Sequence, residues 1–273
     1  MKRFLLIFSL LFSSTLFSQT TIMTYNIKYD NKHDSINNWD LRKEKMLELI
    51  NHYQADIVGL QESLLNQHTY LQQNLSQFKV IGVGRDDGKD KGEFSPILYN
   101  FKKFQLVETA TFWLSDTPEK PSLGWDAAIK RVCTYALLKN KKTKKKIWVF
   151  NTHFDHVGVV AREKSAELIL KKIAALNSKK YPVILMGDLN LTPEKTPITL
   201  IKETLDDAKE ISLSRFYGPN GTFNAFNNSV TNVRIDYIFT KYLKVTSYLH
   251  IDDRLNNHNH ISDHFPVLST IQF

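Results

Sequence analysis

The stretch Met186-Gly187-Asp188-Leu189-Asn190 decides the fold that this sequence predicts. Residues 181–185, directly before it, form an apolar run that is typical of a buried strand. Gly187 allows a backbone turn in which a bulkier residue would clash. Asp188 and Asn190 then follow the strand, and in layered α/β folds the loops beyond strand ends carry most binding and catalytic groups. Taken alone, the pentapeptide is equally consistent with an ordinary turn, because Asp and Asn favour turns.

Residues 1–18 have the pattern of a secretory leader. Lys2 and Arg3 are followed by an apolar core at 4–11 and then by small and polar residues. The apolar core is too short to span a bilayer. We therefore expect cleavage near Ser18 and an exported chain, periplasmic or secreted, with no integral membrane segment after cleavage. An anchor helix that remains in place is the alternative.

Residues 19–273 are expected to form one domain, since roughly 255 residues fit a single large domain. Lysine and arginine number 36 against 28 acidic residues, so the formal net charge of the whole sequence is +8. That charge favours anionic partners such as phosphate esters or nucleic acid without identifying one. Cys133 is the single cysteine, which excludes a disulfide scaffold and a cysteine-based zinc site. We expect Cys133 to be a small buried residue.

Strand-like and helix-like segments alternate along the chain, and hairpins occur among them. The predicted strands lie at 21–27, 55–60, 78–83, 106–114, 131–138, 147–152, 181–185, 235–239, 245–251 and 267–271, and the predicted helices at 39–53, 66–76, 159–176 and 196–202. This pattern predicts mixed sheets covered by helices rather than one purely parallel sheet. Residues 139–146 are rich in lysine and predict a solvated hairpin tip, with a phosphate-backbone contact as the alternative.

Four stretches place acid, amide or imidazole groups at the end of an apolar strand. They are Gln61-Glu62, Asn151-Thr152-His153-Phe154-Asp155-His156, Gly187-Asp188-Leu189-Asn190 and Ser262-Asp263-His264-Phe265-Pro266, with Asp236 upstream of the last. Each alone is compatible with ordinary hydrogen bonding, because buried polar groups are normally hydrogen bonded. Together with Tyr25-Asn26 they resemble the endonuclease/exonuclease/phosphatase family, which includes deoxyribonucleases, apurinic endonucleases, sphingomyelinases, inositol-polyphosphate phosphatases and deadenylases. The segments 92–99, 112–115, 124–126 and 152–156 are similar to its secreted bacterial branch.

The resemblance implies a four-layer α/β sandwich, in which two mixed β-sheets pack face to face with the helices outside. It also implies a divalent cation. Glu62 would be the main ligand of Mg²⁺, with Asn26 and Asp263 near the same ion, and Mn²⁺ would fit the same oxygen donors. The metal would act as a Lewis acid on a phosphoryl oxygen.

The resemblance further assigns the catalytic groups. Asp188 would activate the attacking water, and Asn190 would bind a phosphate oxygen or that water. His264 would bind the phosphate as an imidazolium, with Asp236 beside it to raise its pKa. His153 would be a second imidazole. Three further side chains would support the site or bind substrate, namely Glu93 next to His153, Arg131 as a phosphate clamp, and Asp155.

These roles predict an exported phosphoesterase, dependent on Mg²⁺ or Mn²⁺, that cleaves phosphodiester or phosphomonoester bonds by in-line attack of water. The alternatives are a nuclease acting on extracellular DNA or RNA, a lipid or sugar phosphate hydrolase, and a non-catalytic binding module on the same fold. We expect a monomer. Among residues outside the motifs, we expect Trp125 and Asp126 at the mouth of the site, and His258 and His260 in solvent.

Overall fold

The computed structural model describes residues 19–273, so the predicted leader at 1–18 lies outside the described residues. The strands of the described chain are β1 (Gln19–Asn26), β2 (Ile57–Gln61), β3 (Phe78–Ile81), β4 (Ile97–Asn100), β5 (Phe104–Trp113), β6 (Val132–Asn140), β7 (Lys146–His153), β8 (Val183–Asp188), β9 (Asp206–Asp207), β10 (Asp236–Lys241), β11 (Lys244–His250) and β12 (Val267–Gln272). The α-helices are α1 (Trp39–His52), α2 (Leu65–Asn74), α3 (Val159–Leu176), α4 (Thr196–Lys202) and α5 (Ala208–Ile211), and a 3₁₀ turn covers Ser35–Asn37.

The strands form two six-stranded sheets. The first has the order β11-β12-β1-β2-β4-β3, and the second has the order β5-β6-β7-β8-β10-β9. Strand β1 runs parallel to β2, and β7 runs parallel to β8, whereas the other pairs are antiparallel. Both sheets are therefore mixed, as the alternation of helices and hairpins predicted.

Three apolar layers hold these elements together. The middle layer joins side chains of both sheets, such as Ile22 of β1 and Ile184 of β8. Helices α3 and α4 cover the outer face of the second sheet, where Ile169 is buried. Helices α1 and α2 cover the outer face of the first sheet through residues such as Met46 and Leu71. The predicted four-layer sandwich with helices outside is confirmed.

Strand β8 explains the continuous apolar run that precedes the central pentapeptide. All six of its residues are buried, because helices cover one face of the strand and the first sheet covers the other. Val183 and Leu185 pack in the layer beneath α3, whereas Ile184 and Met186 pack in the layer between the sheets. A strand that is covered on both faces therefore carries a nearly continuous run of apolar side chains.

Gly187 brings β7 and β8 into close contact immediately before Asp188. Its φ angle is +144°, and a Cβ at this position would lie 1.9 Å from the carbonyl oxygen of Thr152. Only glycine has both the backbone freedom and the space that this approach requires.

The predicted helices are confirmed to within a few residues, whereas β4 was not among the predicted strands. Elements β9 and α5 were not predicted either. These elements have two and four residues, which is too short to show a hydrophobic period. The hairpin between β6 and β7 is confirmed, with a largely exposed tip in which the Asn140 side chain accepts hydrogen bonds from the Lys142 and Thr143 backbones. Cys133 is fully buried, as predicted. Among the described residues, no helix combines the length and the apolar character that crossing a bilayer requires.

Candidate active site

Three of the predicted residues lie side by side across the second sheet. Asp188 ends β8, and the register pairs it with His153 on β7 and with Asp236 on β10. Residues that are paired in this way project from the same face of a sheet. In β8 that face carries Ile184 and Met186, which pack against the first sheet. The strand register therefore directs all three polar side chains into the space between the sheets.

The first sheet contributes Asn26 and Glu62 from its neighbouring parallel strands. Asn26 is the last residue of β1, and its Nδ2 donates to Asp188 Oδ2 at 3.0 Å and to Glu62 Oε1 at 3.1 Å. Glu62 directly follows β2 in a left-handed conformation with φ +57°. Its other oxygen, Oε2, accepts from the backbone N–H of Tyr29 at 3.3 Å. One amide thus holds together two carboxylates that come from different sheets.

His264 completes the cluster from the loop before β12. Its Nδ1 lies 2.8 Å from Asp236 Oδ2, and its Nε2 lies 3.7 Å from Asp188 Oδ2. The Ser262 hydroxyl donates to the Asn26 carbonyl at 2.7 Å, which fixes the loop against β1. The ring of Phe223 packs on the imidazole at a centroid distance of 5.0 Å. The structure contains the predicted Asp236–His264 pair.

Burial and neighbouring charges set the protonation states of this cluster. Although burial disfavours a charged ring, the carboxylates of Asp236 and Asp188 raise the pKa of His264 to about 10, so the ring is an imidazolium at neutral pH. Burial and the Asp236 carboxylate raise the pKa of Asp188 to about 7. A carboxylate with a pKa near neutrality is suited to accept a proton from water.

Asn190 connects Asp188 to the second imidazole. Its backbone N–H donates to Asp188 Oδ1 at 2.9 Å, and its Nδ2 lies 3.1 Å from His153 Nε2. Burial, together with the guanidinium groups of Arg131 and Arg85, lowers the pKa of His153 well below its ordinary value. His153 is therefore neutral at pH 7, in contrast to the charged His264.

Most of these groups border a cavity of about 460 Å³, whereas Asn26 and Asp236 lie behind its lining. Eight of the predicted site residues line it, namely Glu62, Glu93, Arg131, His153, Asp188, Asn190, Asp263 and His264. The other lining residues are Lys28, Tyr29, Ile129, His156, Phe223 and Ile235. A larger depression of about 840 Å³ lies beside Tyr53 and residues 215–219 of the described chain, but none of the predicted site residues lines it. The smaller cavity is the candidate active site because the titratable groups converge there.

Arg131 presents donors to this cavity. The residue is 5 % exposed, its Nε lies 3.7 Å from Asp155 Oδ2, and its Nη2 lies 3.2 Å from His156 Nδ1. Within the described residues, Nε and Nη1 have no hydrogen-bond partner. Asp155 accepts from the backbone N–H groups of Val157 and Gly158, so it supports the loop and Arg131 rather than lining the cavity.

Glu93 has a different partner from the one the resemblance implied. Both of its oxygens accept from the Arg85 guanidinium at 2.8 Å, and His153 Nδ1 is buried without a hydrogen-bond partner among the described residues. The bidentate geometry of guanidinium and carboxylate explains the preference of Glu93 for Arg85. Arg85 lies in the glycine-rich loop 84–92, and its role was not predicted because it has no strand-end motif around it.

Three expectations outside the motifs are wrong. Trp125 does not line the cavity, and its indole N–H donates to Asp116 Oδ1 at 2.9 Å. Asp126 does not line the cavity, and its carboxylate accepts from the Val160 and Ala161 backbones at the start of α3, where helical N–H groups lack partners. His260 is 2 % exposed rather than solvated, and its Nε2 lies 2.9 Å from the Asn227 carbonyl. His258, in the same loop, is exposed as expected.

The donor chemistry around Glu62 fits a divalent cation. Glu62 and Asp263 supply hard oxygen donors, and the Lys28 ammonium lies 3.6 Å from Glu62 Oε2 and 3.7 Å from Asp263 Oδ2, so this place already holds a positive charge. Burial opposes the charge of Glu62, but the nearby charges of Lys28 and His264 lower its pKa. Glu62 is therefore ionised. Asn26 Oδ1 accepts from the Lys28 backbone, so the predicted contact of Asn26 with the ion stays a prediction.

Donor atoms of Asp188, Asp236 and His264 also lie within 4.8 Å of one another. This second group is a weaker metal site, because a protonated imidazole has no lone pair with which to bind a metal. The high pKa of His264 and its hydrogen bond to Asp236 indicate that the group holds a proton instead.

Two facing mixed sheets, a buried acid–imidazole cluster and oxygen donors for a cation define a hydrolase of phosphate esters. Residues 23–264 match the family model described as the endonuclease/exonuclease/phosphatase family, and this chain belongs to that family. Members of the family are generally dependent on divalent metals.

Two solved structures and one sequence relative agree with this assignment. The mannosyl-6-phosphatase of Bacteroides thetaiotaomicron is 38 % identical, with a TM-score of 0.90 over 93 % of this chain and 100 % of that chain. A family protein from the same organism is 37 % identical, with a TM-score of 0.90 over 94 % of this chain and 98 % of that chain. An uncharacterized protein of Acanthamoeba polyphaga mimivirus is 26 % identical over 86 % of this chain and 92 % of its own length.

Proposed function

We propose that this chain is an exported phosphatase that uses Mg²⁺ or Mn²⁺ to remove phosphate from a small phosphorylated sugar or polyol. The observation that carries the proposal is the cavity of about 460 Å³ in which Asp188, His264 and Arg131 converge. That volume lies in the range of pockets that enclose small ligands. The 38 % identity to a mannosyl-6-phosphatase over nearly the full chain supports the same substrate class.

The charges around the cavity favour a small monoester over a nucleic acid. Three cationic side chains in or beside it have carboxylate neighbours: Lys28 has Glu62 and Asp263, Arg85 has Glu93, and Arg131 has Asp155. A nuclease gains affinity from cations that are free to neutralise many successive phosphates. Here these three cations are already paired with carboxylates, which suits a single phosphate group better than a long polyanion.

The residues of the chain would act on a bound monoester as follows. Arg131 binds a phosphate oxygen, and the His264 imidazolium donates to another, so charge that develops in the transition state is stabilised. Asp188 accepts a proton from the attacking water as the new P–O bond forms and the ester P–O bond breaks on the opposite side, and the leaving oxygen takes up a proton from solvent to give the alcohol. Asn190 orients this water or a phosphate oxygen. A cation held by Glu62 and Asp263 would supply Lewis-acid stabilisation of the phosphoryl and leaving oxygens.

A substrate panel tests this proposal. The purified protein is assayed with Mg²⁺ or Mn²⁺ on mannose 6-phosphate, glucose 6-phosphate, bis(p-nitrophenyl) phosphate, single-stranded DNA, RNA and sphingomyelin. We expect the highest kcat/KM on a sugar monoester, and we expect a chelator to abolish turnover. The matched control is the double variant Asp188→Asn/His264→Asn.

Two outcomes would contradict the proposal. Faster cleavage of DNA or RNA than of any sugar monoester would identify a nuclease. If the wild type cleaves every ester no faster than the double variant, the chain is a non-catalytic binding module rather than an enzyme. Export is a separate prediction, which is tested by detecting the protein outside the cytoplasm in fractionated cells that express the full sequence.

A further inference from the structure

Lys28 is the cationic side chain nearest to the oxygen donors of the predicted metal site. Its Nζ lies between two carboxylates, 3.6 Å from Glu62 Oε2 and 3.7 Å from Asp263 Oδ2. It also lies 4.6 Å from the centroid of the Tyr29 ring. The side chain is 22 % exposed, so water screens these charges only in part. Lys28 therefore neutralises two acidic groups that would otherwise repel each other.

The backbone of Lys28 is held in a conformation that directs the side chain to this place. Its φ angle is +54°, a left-handed value that is uncommon for a residue other than glycine. The Lys28 N–H donates to Asn26 Oδ1 at 3.1 Å, and the Lys28 carbonyl accepts from Gln67 Nε2 at 2.9 Å and from Arg42 Nη2 at 3.2 Å. Such conformations persist where the surroundings over-determine them, and they cluster at functional sites.

The contact between the ammonium and the carboxylates can be broken. Both distances exceed the length of a good hydrogen bond, so the attraction is mainly that of opposite charges. A lysine side chain has a flexible four-carbon stem and a compact charge, so rotation of its bonds can move the ammonium away. The same cavity contains Arg131 and His264, the groups expected to bind phosphate. An ammonium that leaves the carboxylates toward the cavity would therefore meet the substrate.

We propose that Lys28 is an internal cation that competes with the divalent metal for Glu62 and Asp263 and, once displaced, binds the phosphate of the substrate. This inference rests on the proposed function, because it takes Glu62 and Asp263 as metal ligands. Metal binding would release the ammonium, and the released ammonium would strengthen phosphate binding. Such coupling is reciprocal, so phosphate would also strengthen metal binding. Lys28 would thereby link the loading of the two ligands.

The test measures metal affinity directly. Mn²⁺ binding is followed by isothermal titration calorimetry at low ionic strength for the wild type, Lys28→Met, Lys28→Gln and Lys28→Arg. Removing a unit charge some 4 Å from a divalent ion should tighten Mn²⁺ binding by about tenfold or more in the two neutral variants. Lys28→Arg keeps the charge and should stay close to the wild type. Lys45→Met is the matched control, because this substitution removes the same net charge at a distant place. Lys45 pairs with Glu48 on the exposed face of α1.

Phosphate binding should change in the opposite direction. At saturating Mn²⁺, the inhibition constant of inorganic phosphate should rise about tenfold in Lys28→Met, because charge-assisted contacts are the strong ones. A lysine with a merely structural role would not produce tighter Mn²⁺ binding together with weaker phosphate binding. Unchanged or weaker Mn²⁺ binding in Lys28→Met and Lys28→Gln would overturn the proposal. Wild-type Mn²⁺ affinity in Glu62→Gln would instead overturn the metal site, whichever esters the enzyme cleaves.

Discussion

Replacing Asp236 with Asn tests the electrostatic design of the site. Asp236 is 1 % exposed, and its Oδ2 lies 2.8 Å from His264 Nδ1. Asn has the same shape and can still accept this hydrogen bond, but it has no charge. The imidazolium of His264 therefore loses the carboxylate that stabilises it most, while the burial that opposes its charge remains. His264 should release its proton at a lower pH.

The structure sets the size of this effect. Two unit charges about 4 Å apart in a protein of effective dielectric constant near 20 interact by about 4 kcal/mol, which corresponds to about three pH units. The alkaline limb of kcat/KM, governed by the pKa of His264 near 10 in the wild type, should move down by about that amount. The Asp236 carboxylate also raises the pKa of Asp188, so the acid limb near pH 7 should move down as well. Both limbs should shift in the same direction.

The assay is the kcat/KM of a chromogenic phosphate monoester, measured at saturating Mg²⁺ between about pH 5 and about pH 10, since this parameter reports the pKa values of the free enzyme. Asp56→Asn is the control, because Asp56 is a buried acid that pairs with Lys103 at the opposite end of β2. Its profile should match the wild type. If a folded Asp236→Asn variant keeps the wild-type alkaline limb, the Asp236–His264 pair does not set the protonation of the site, and this reasoning is refuted.

Two further predictions concern the central pentapeptide. Asp188→Asn should lower kcat on a sugar monoester by about 10²–10⁴, because a neutral amide does not accept the proton of the attacking water, while circular dichroism shows an unchanged melting temperature. A kcat within threefold of the wild type, as an order-of-magnitude limit, would exclude Asp188 as the base. Gly187→Ala should lower the free energy of unfolding in urea by at least about 2 kcal/mol, since the new Cβ would lie 1.9 Å from the Thr152 carbonyl oxygen. An unfolding free energy equal to that of the wild type would show that β7 and β8 can separate at no cost.

Side-chain partners were harder to predict than the elements that carry them. Glu93 and Asp126 were placed near the right part of the fold, yet Glu93 binds Arg85 and Asp126 binds the first turn of α3. Neither partner belongs to a motif that gave the resemblance. A carboxylate can accept a hydrogen bond from any donor within about 3 Å. An error of a few ångströms in the expected position of a side chain therefore leads to the wrong hydrogen-bond donor. His260 was misplaced for a similar reason, since its partner, the Asn227 carbonyl, lies in another loop.

By itself, the sequence determined the layered architecture and the identity of the polar groups at the strand ends. Hydrophobic periodicity reports the burial of each element, and a polar residue after an apolar run marks the end of a strand. Only the tertiary structure decided how Asp188 lies between His153 and Asp236, and how Lys28 reaches Glu62 and Asp263. These relations depend on strand register and on distances between residues far apart in the chain. A pattern read along one chain shows which side chains are available, whereas packing in three dimensions selects the pairs that meet.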